Sequence, residues 1–179
     1  SIEPVDAAQV FDEVFRLMEP AAARGRIQLL RGNGHAQCYV LSDRQRLTQV
    51  LMNIVSNAIK YNVEGGFVRI ECVERDSLVE FSISDSGIGI PAGDLDRLFA
   101  PFDRLGMEAS GIEGTGLGLS LCKSLIDAMD GAITAARNPD RGSTFTVTLK
   151  KAESPVIEAA RAARLAPASA ASAVAGTIL

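Results

Sequence analysis

The chain has 179 residues, 47% of them hydrophobic and 22% charged, which is enough for one domain with a real core and some extra. A formal net charge of -4, with 18 Lys and Arg scattered without a cluster, lacks the basic footprint of a nucleic-acid binder, so no nucleic-acid partner is expected. Cys38, Cys72 and Cys122 are an odd number in separate apolar stretches, which speaks against a disulfide or zinc framework and for buried thiols in the cytoplasm. No run of 18 apolar residues and no signal-like start is present, so no membrane contact by this chain itself is expected.

Pro4 sits where a first helical turn tolerates it, and Val10, Phe11, Val14, Phe15, Leu17 and Met18 supply an apolar helical face ending before Arg24-Gly25-Arg26. A first helix from about residue 5 is predicted. Residues 27–30 and 38–41 are short apolar runs separated by Gly32-Asn33-Gly34, which predicts two strands joined by a turn, with the only histidine, His35, in that turn. Ser42, followed three residues later by Gln45, is a capping-box pattern that opens a second helix.

That second helix carries two kinds of face. Leu47, Val50, Leu51, Ile54, Val55 and Ala58 follow the spacing of one buried stripe, while Asn53, Asn57, Lys60 and Tyr61 form a polar stripe at its margin. A helix so patterned can floor a pocket and offer polar groups to a ligand. After Gly65-Gly66, Val68, Ile70 and Cys72 alternate with Arg69, Glu71 and Val73, and Asp76-Ser77 turns into Val79, Phe81 and Ile83. Continuing that parity puts Asp85 on the core side. Even a neutral polar group buried without a hydrogen bond costs roughly 2 to 7 kcal/mol, so something polar must fill the space in front of Asp85.

Ser86-Gly87-Ile88-Gly89-Ile90-Pro91 then makes a glycine-broken turn into residues 92–113, a stretch with little regular pattern that reads as a functional lid. Gly114-Thr115-Gly116-Leu117-Gly118-Leu119 opens a helix whose face is Leu117, Leu121, Cys122, Leu125, Ile126 and Met129. Glycines there uncover backbone N–H groups at a helix N-terminus, a ready site for phosphate. Residues 133–136, the turn Asn138-Pro139-Asp140-Arg141-Gly142, and Phe145, Val147 and Leu149 predict a closing hairpin. From Ala152 the composition shifts, with 11 Ala in the last 28 residues, so 1–151 read as the domain and 152–179 as a linker or tail with a short helix near 157–165.

These pieces converge on a nucleotide: an amide oxygen for Mg²⁺, an acceptor for an adenine amino group and backbone donors for phosphates. The P-loop is absent, and Gly114, Gly116 and Gly118 do not have the spacing of the dinucleotide fingerprint.

Asn53-Ile54-Val55-Ser56-Asn57-Ala58-Ile59-Lys60-Tyr61 resembles the N box of the catalytic ATP-binding domain of sensor histidine kinases, in the GHKL superfamily that also holds gyrase, Hsp90 and MutL. Asp85-Ser86-Gly87-Ile88-Gly89 resembles its G1 box, Leu98-Phe99-Ala100-Pro101-Phe102-Asp103-Arg104 its F box, Gly114-Thr115-Gly116-Leu117-Gly118-Leu119 its G2 box, and Gly142-Ser143-Thr144-Phe145 its final glycine turn. Ala100 departs from the Glu frequent in the F box. The resemblance covers about residues 1–150 and implies an α/β two-layer sandwich of the Bergerat type: one mixed sheet of about five strands covered by three main helices.

It further implies that Asn57 gives the Mg²⁺ ligand, Lys60 and Arg104 reach phosphates, Tyr61 flanks adenine, Asp85 accepts from its amino group, and Gly87, Gly89 and the 114–119 segment line the ATP. The implied partners are dimerisation and phosphoacceptor helices of the same parent protein, and a receiver domain or response regulator downstream. Gly176-Thr177-Ile178-Leu179 resembles the start of a receiver's first strand. GHKL hydrolases keep a Glu one turn before the metal Asn, where this chain has Asn53, which implies slow or absent hydrolysis and sets this reading against a self-hydrolysing ATPase. An idle nucleotide-binding scaffold is the other alternative. Phe99 and Phe102 read equally well as plain packing between lid and core.

Overall fold

One buried helix organises the sheet beneath it. In the computed structural model, which describes residues 1–35, 37–101 and 118–167, helix α2 (Arg44–Lys60) buries Leu47, Val50, Leu51, Ile54, Val55 and Ala58, the stripe its spacing predicts. Beside it lies α1 (Ala7–Arg24), which buries Val10, Phe11, Val14, Phe15 and Met18. A shorter helix, α3 (Gly118–Asp127), packs on α2 through Cys122 and Ile126.

Among the described residues there are seven strands, β1 (Glu3–Asp6), β2 (Gln28–His35), β3 (Tyr39–Ser42), β4 (Phe67–Arg75), β5 (Leu78–Asp85), β6 (Ala132–Arg137) and β7 (Ser143–Ala152). They form one mixed sheet in the order β1-β3-β7-β5-β4-β2, with β6 also paired to β7. β7 shares one edge between two partners: Ser143 to Thr148 pair with β6, and Lys151 and Ala152 pair with β3. Along β5, Val79, Phe81, Ile83 and Asp85 are buried while Glu80, Ser82 and Ser84 are only half-buried, the alternation of a sheet covered on one face. The α/β sandwich is therefore as expected, with seven strands in place of about five.

Four local expectations are corrected. Pro4 lies in β1 and not in a helix: Asp6 caps α1 instead, its Oδ1 accepting from Ala8 N at 2.9 Å and Gln9 N at 3.2 Å. Gly32-Asn33-Gly34 is no turn between neighbours: it forms an irregularity within β2, between Arg31 opposite Ile70 and His35 opposite Cys72 of the parallel strand β4, and three strands separate β2 from β3. His35 accordingly ends a strand, opposite Cys72. The α2 cap is Asp43, which accepts from Arg46 N at 3.1 Å, while Ser42 closes β3 with an Oγ that has no partner among the described residues. Helix α2 begins at Arg44, so its N-cap falls on Asp43, one residue after the position the capping-box pattern marks.

All three cysteines are buried and free. No helix of the described residues is long and apolar enough to cross a membrane. β7 is followed by α4 (Pro155–Leu165), which buries none of its residues and leaves Val156, Ile157 and Leu165 exposed.

Candidate functional site

β5 delivers Asp85 to the end of the sheet, where the buried parity of its strand places it beneath the C-terminal end of α2. The residue is 7% exposed, and its Oδ1 accepts from Gly87 N at 2.8 Å and Ser143 N at 3.3 Å. Two backbone donors thus answer the question the sequence raised about a core-facing carboxylate. Burial nonetheless outweighs them and raises the carboxyl above its ordinary value of 3.8. Between that value and the raised one, the folded chain holds a proton the unfolded chain has released, so stability falls as pH rises through the window. An Asp85→Asn chain has nothing to titrate there, and its denaturation midpoint is expected to vary less between pH 4 and neutrality than that of wild type.

The turns around Asp85 are stapled from both sides. At the α2 end, Ser86 Oγ accepts from Phe67 N at 2.8 Å and donates to Asn62 Oδ1 at 3.2 Å, Asn62 Nδ2 donates to Phe67 O at 2.9 Å, and Ile88 N donates to Tyr61 O at 3.2 Å. On the far side, Asn138 Nδ2 donates to Asp85 O at 3.0 Å, and Thr144 Oγ1 donates to Asn138 Oδ1 at 2.5 Å. Close approach leaves no room for side chains: a Cβ on Gly87 would lie 2.4 Å from Tyr61 O, and one on Gly142 would lie 1.9 Å from Asp85 O. Asn62, Ser86, Asn138, Ser143 and Thr144 were not singled out as site residues. A turn signal marked Asn138, but nothing local says that its amide reaches a strand end more than fifty residues earlier.

The polar stripe of α2 ends at this region, where Tyr61 O accepts from Ile88 N. Asn57 is half-buried and its carboxamide makes no hydrogen bond among the described residues. Lys60 is exposed in the last helical turn, and Tyr61 caps the helix with its backbone N–H bonded to Asn57 O at 3.0 Å. Asn53, one turn earlier, instead turns Nδ2 toward Cys122 Sγ at 3.7 Å. Gly118 and Leu119 open α3 and are half-buried, with Asn53 beside Gly118. Gly89 takes φ +75°, which only a glycine adopts readily, against Gly142. Phe99 packs edge-on against Phe145 at 6.5 Å between ring centroids, a packing role. Phe102, Arg104, Gly114, Thr115, Gly116 and Leu117 lie outside the described residues, as does most of the 92–113 segment beyond the 3-10 helix Ala92–Arg97 and residue 101.

Among the described residues no group of His, Cys, Asp and Glu is arranged to hold a metal ion. An unbonded amide oxygen suits a small hard cation that takes its other ligands from water and from a polyphosphate, which is how Mg²⁺ is held beside nucleotides. The donor set therefore fits Mg²⁺ brought with its phosphates. A separate opening of about 420 Å³, between Glu3, Glu13, Asp43 and Arg44, lies at the other end of α2.

A family model described as histidine kinase-, DNA gyrase B-, and HSP90-like ATPase matches residues 42–153. The sensor histidine kinase WalK of Bacillus subtilis is 39% identical over 126 residues, which is 69% of this chain but only 21% of WalK. The chain thus spans about a fifth of the length of that curated relative. Among solved structures, the nucleotide-free catalytic domain of the histidine kinase ThkA superposes with a TM-score of 0.74 at 30% identity, covering 84% of this chain and 96% of that one. ThkA has also been solved in complex with the response regulator protein TrrA. Full-length ShkA in complex with AMPPNP gives a TM-score of 0.74 at 29% identity, covering 86% of this chain and 32% of ShkA.

Proposed function

The chain belongs to the histidine kinase-, DNA gyrase B- and HSP90-like ATPase family as a histidine-kinase ATP-binding domain, and on that premise we propose how its own residues handle Mg-ATP. Asp85 accepts the adenine amino group, Tyr61 flanks the ring, Asn57 Oδ1 ligates Mg²⁺, and Lys60 with Arg104 contacts the phosphates. Backbone N–H groups of Gly87, Gly89 and the 114–119 segment complete the cradle. Mg²⁺, when bound, neutralises charge on the phosphate oxygens. Phosphoryl transfer needs little covalent chemistry from protein, so holding the γ-phosphate in line is the domain's main task. The acceptor is a histidine on dimerisation and phosphoacceptor helices outside residues 1–179, because the only histidine here, His35, ends a strand. The lid at 92–113 closes over the nucleotide, the domain is residues 1–151, and the tail 152–179 leads toward a receiver domain or response regulator in the cytoplasm.

The observation that carries this reading is the buried Asp85, held by Gly87 and Ser143, together with the Asn57 carboxamide that makes no hydrogen bond among the described residues, on the helix that packs against β5. Self-hydrolysis is the weaker reading, since Asn53 cannot take a proton from water and its amide is engaged with Cys122. Calorimetry with Mg-ATP is expected to show binding by wild type and at least a tenfold loss, ~1.4 kcal/mol, in Asn57→Ala. Wild type is expected to turn over little ATP alone and to yield acid-labile phosphate only when joined to phosphoacceptor helices. Rapid turnover by the isolated chain, or an absence of binding, sinks the reading.

A further inference from the structure

Cys122 is fully buried in α3 and meets α2 twice: its S–H donates to Val50 O at 3.8 Å, and its Sγ accepts from Asn53 Nδ2 at 3.7 Å. A thiol has one proton. With that proton directed at Val50 O, the sulfur meets Asn53 only as an acceptor, so the carboxamide must turn its N–H₂ toward α3 and its Oδ1 away from it. Two amide orientations that would otherwise be close in energy are thereby separated. Burial pushes the thiol up to about 11, so the proton that sets this order is present at neutral pH. Gly118 lies on the same side, where an added Cβ would come 3.8 Å from Asn53 Nδ2, so the first residue of α3 and the Asn53 amide are neighbours.

We propose that Cys122 is a positioning residue for the phosphate end of the site: the chain Val50 carbonyl, Cys122 thiol, Asn53 carboxamide fixes Oδ1 of Asn53 as the group offered to Mg-triphosphate. The inference rests on the nucleotide reading above. A carboxamide free to rotate presents its N–H₂ for part of the time, and that donor opposes the metal while favouring bare phosphate oxygens. Losing the thiol therefore weakens the contribution of the metal more than that of the nucleotide.

The test is calorimetry on the whole chain with ATP in excess Mg²⁺ and with ATP in chelator, for wild type, Cys122→Val and Cys122→Ala. Valine removes both bonds and adds some apolar bulk; alanine removes both and leaves a small cavity, and serves if the valine chain does not fold. The factor by which Mg²⁺ strengthens ATP binding is expected to fall about three- to tenfold in both variants, the range of one lost hydrogen bond. Affinity for metal-free ATP is expected to stay near that of wild type. An unchanged Mg²⁺ factor, or an equal loss with and without metal, means that Cys122 only packs and overturns the proposal. Failure of wild type to bind ATP under either condition overturns the nucleotide reading itself, a result distinct from both.

Discussion

An Asp85→Asn chain is expected to lose ATP affinity about a hundredfold, ~3 kcal/mol, while unfolding at nearly the temperature of wild type at neutral pH. The asparagine is isosteric, so its Oδ1 still accepts from Gly87 N and Ser143 N, the two bonds that hold the wild-type carboxylate. Removing the charge costs the fold little, because burial already raises the carboxyl despite those bonds. The ligand, by contrast, meets a reversed group: Nδ2 donates where the adenine amino group also donates, and a site with mismatched donors rejects its ligand strongly. Inosine triphosphate carries a carbonyl oxygen at that position, and it is expected to gain on ATP in the variant. Calorimetry with both nucleotides, alongside thermal melts, separates the outcomes. Unchanged ATP affinity would remove Asp85 from the adenine site, and a collapse of the melting temperature would make its role structural.

How far the sequence reached depended on how local each cause was. Asp85 was legible because strand parity is set by neighbours two residues apart, and the buried stripe of α2 because helical period is equally local. The strand count and the β2–β3 pairing were not, since both depend on contacts that the chain makes over long separations. β3 is short, and its partners are β1 and the end of β7, so an apparent turn at Gly32-Asn33-Gly34 gave way to an irregularity inside a strand that pairs with β4. The same reason hid the staples around the site. Asn62, Ser86 and Asn138 are ordinary turn residues in the sequence, and acquire meaning only when the turn after α2 and the β6–β7 turn converge on the end of β5.

That convergence predicts which glycine the site tolerates least. Gly65 and Gly142 both take φ +81°, so alanine at either place suffers the same backbone strain of about 1–2 kcal/mol. Their surroundings differ. A Cβ on Gly65 meets nothing within 4 Å, whereas one on Gly142 comes 1.9 Å from the carbonyl oxygen of Asp85 and 2.8 Å from its Oδ1. These are the strand end and the backbone-bonded oxygen of the carboxylate proposed to accept from adenine, neither of them the far tip of a flexible side chain, so the β6–β7 turn must move away. Displacement of that kind adds about 1–3 kcal/mol. It also pulls Ser143 N from Asp85 Oδ1 and Asn138 Nδ2 from Asp85 O, which leaves the carboxylate less well held. Gly142→Ala is therefore expected to lower both stability and ATP affinity, and Gly65→Ala to lower stability modestly with affinity retained. Denaturant melts and nucleotide titrations on the two chains decide the matter: equal effects at both positions would show that backbone strain alone governs, and that the approach of the turn to Asp85 contributes nothing to binding.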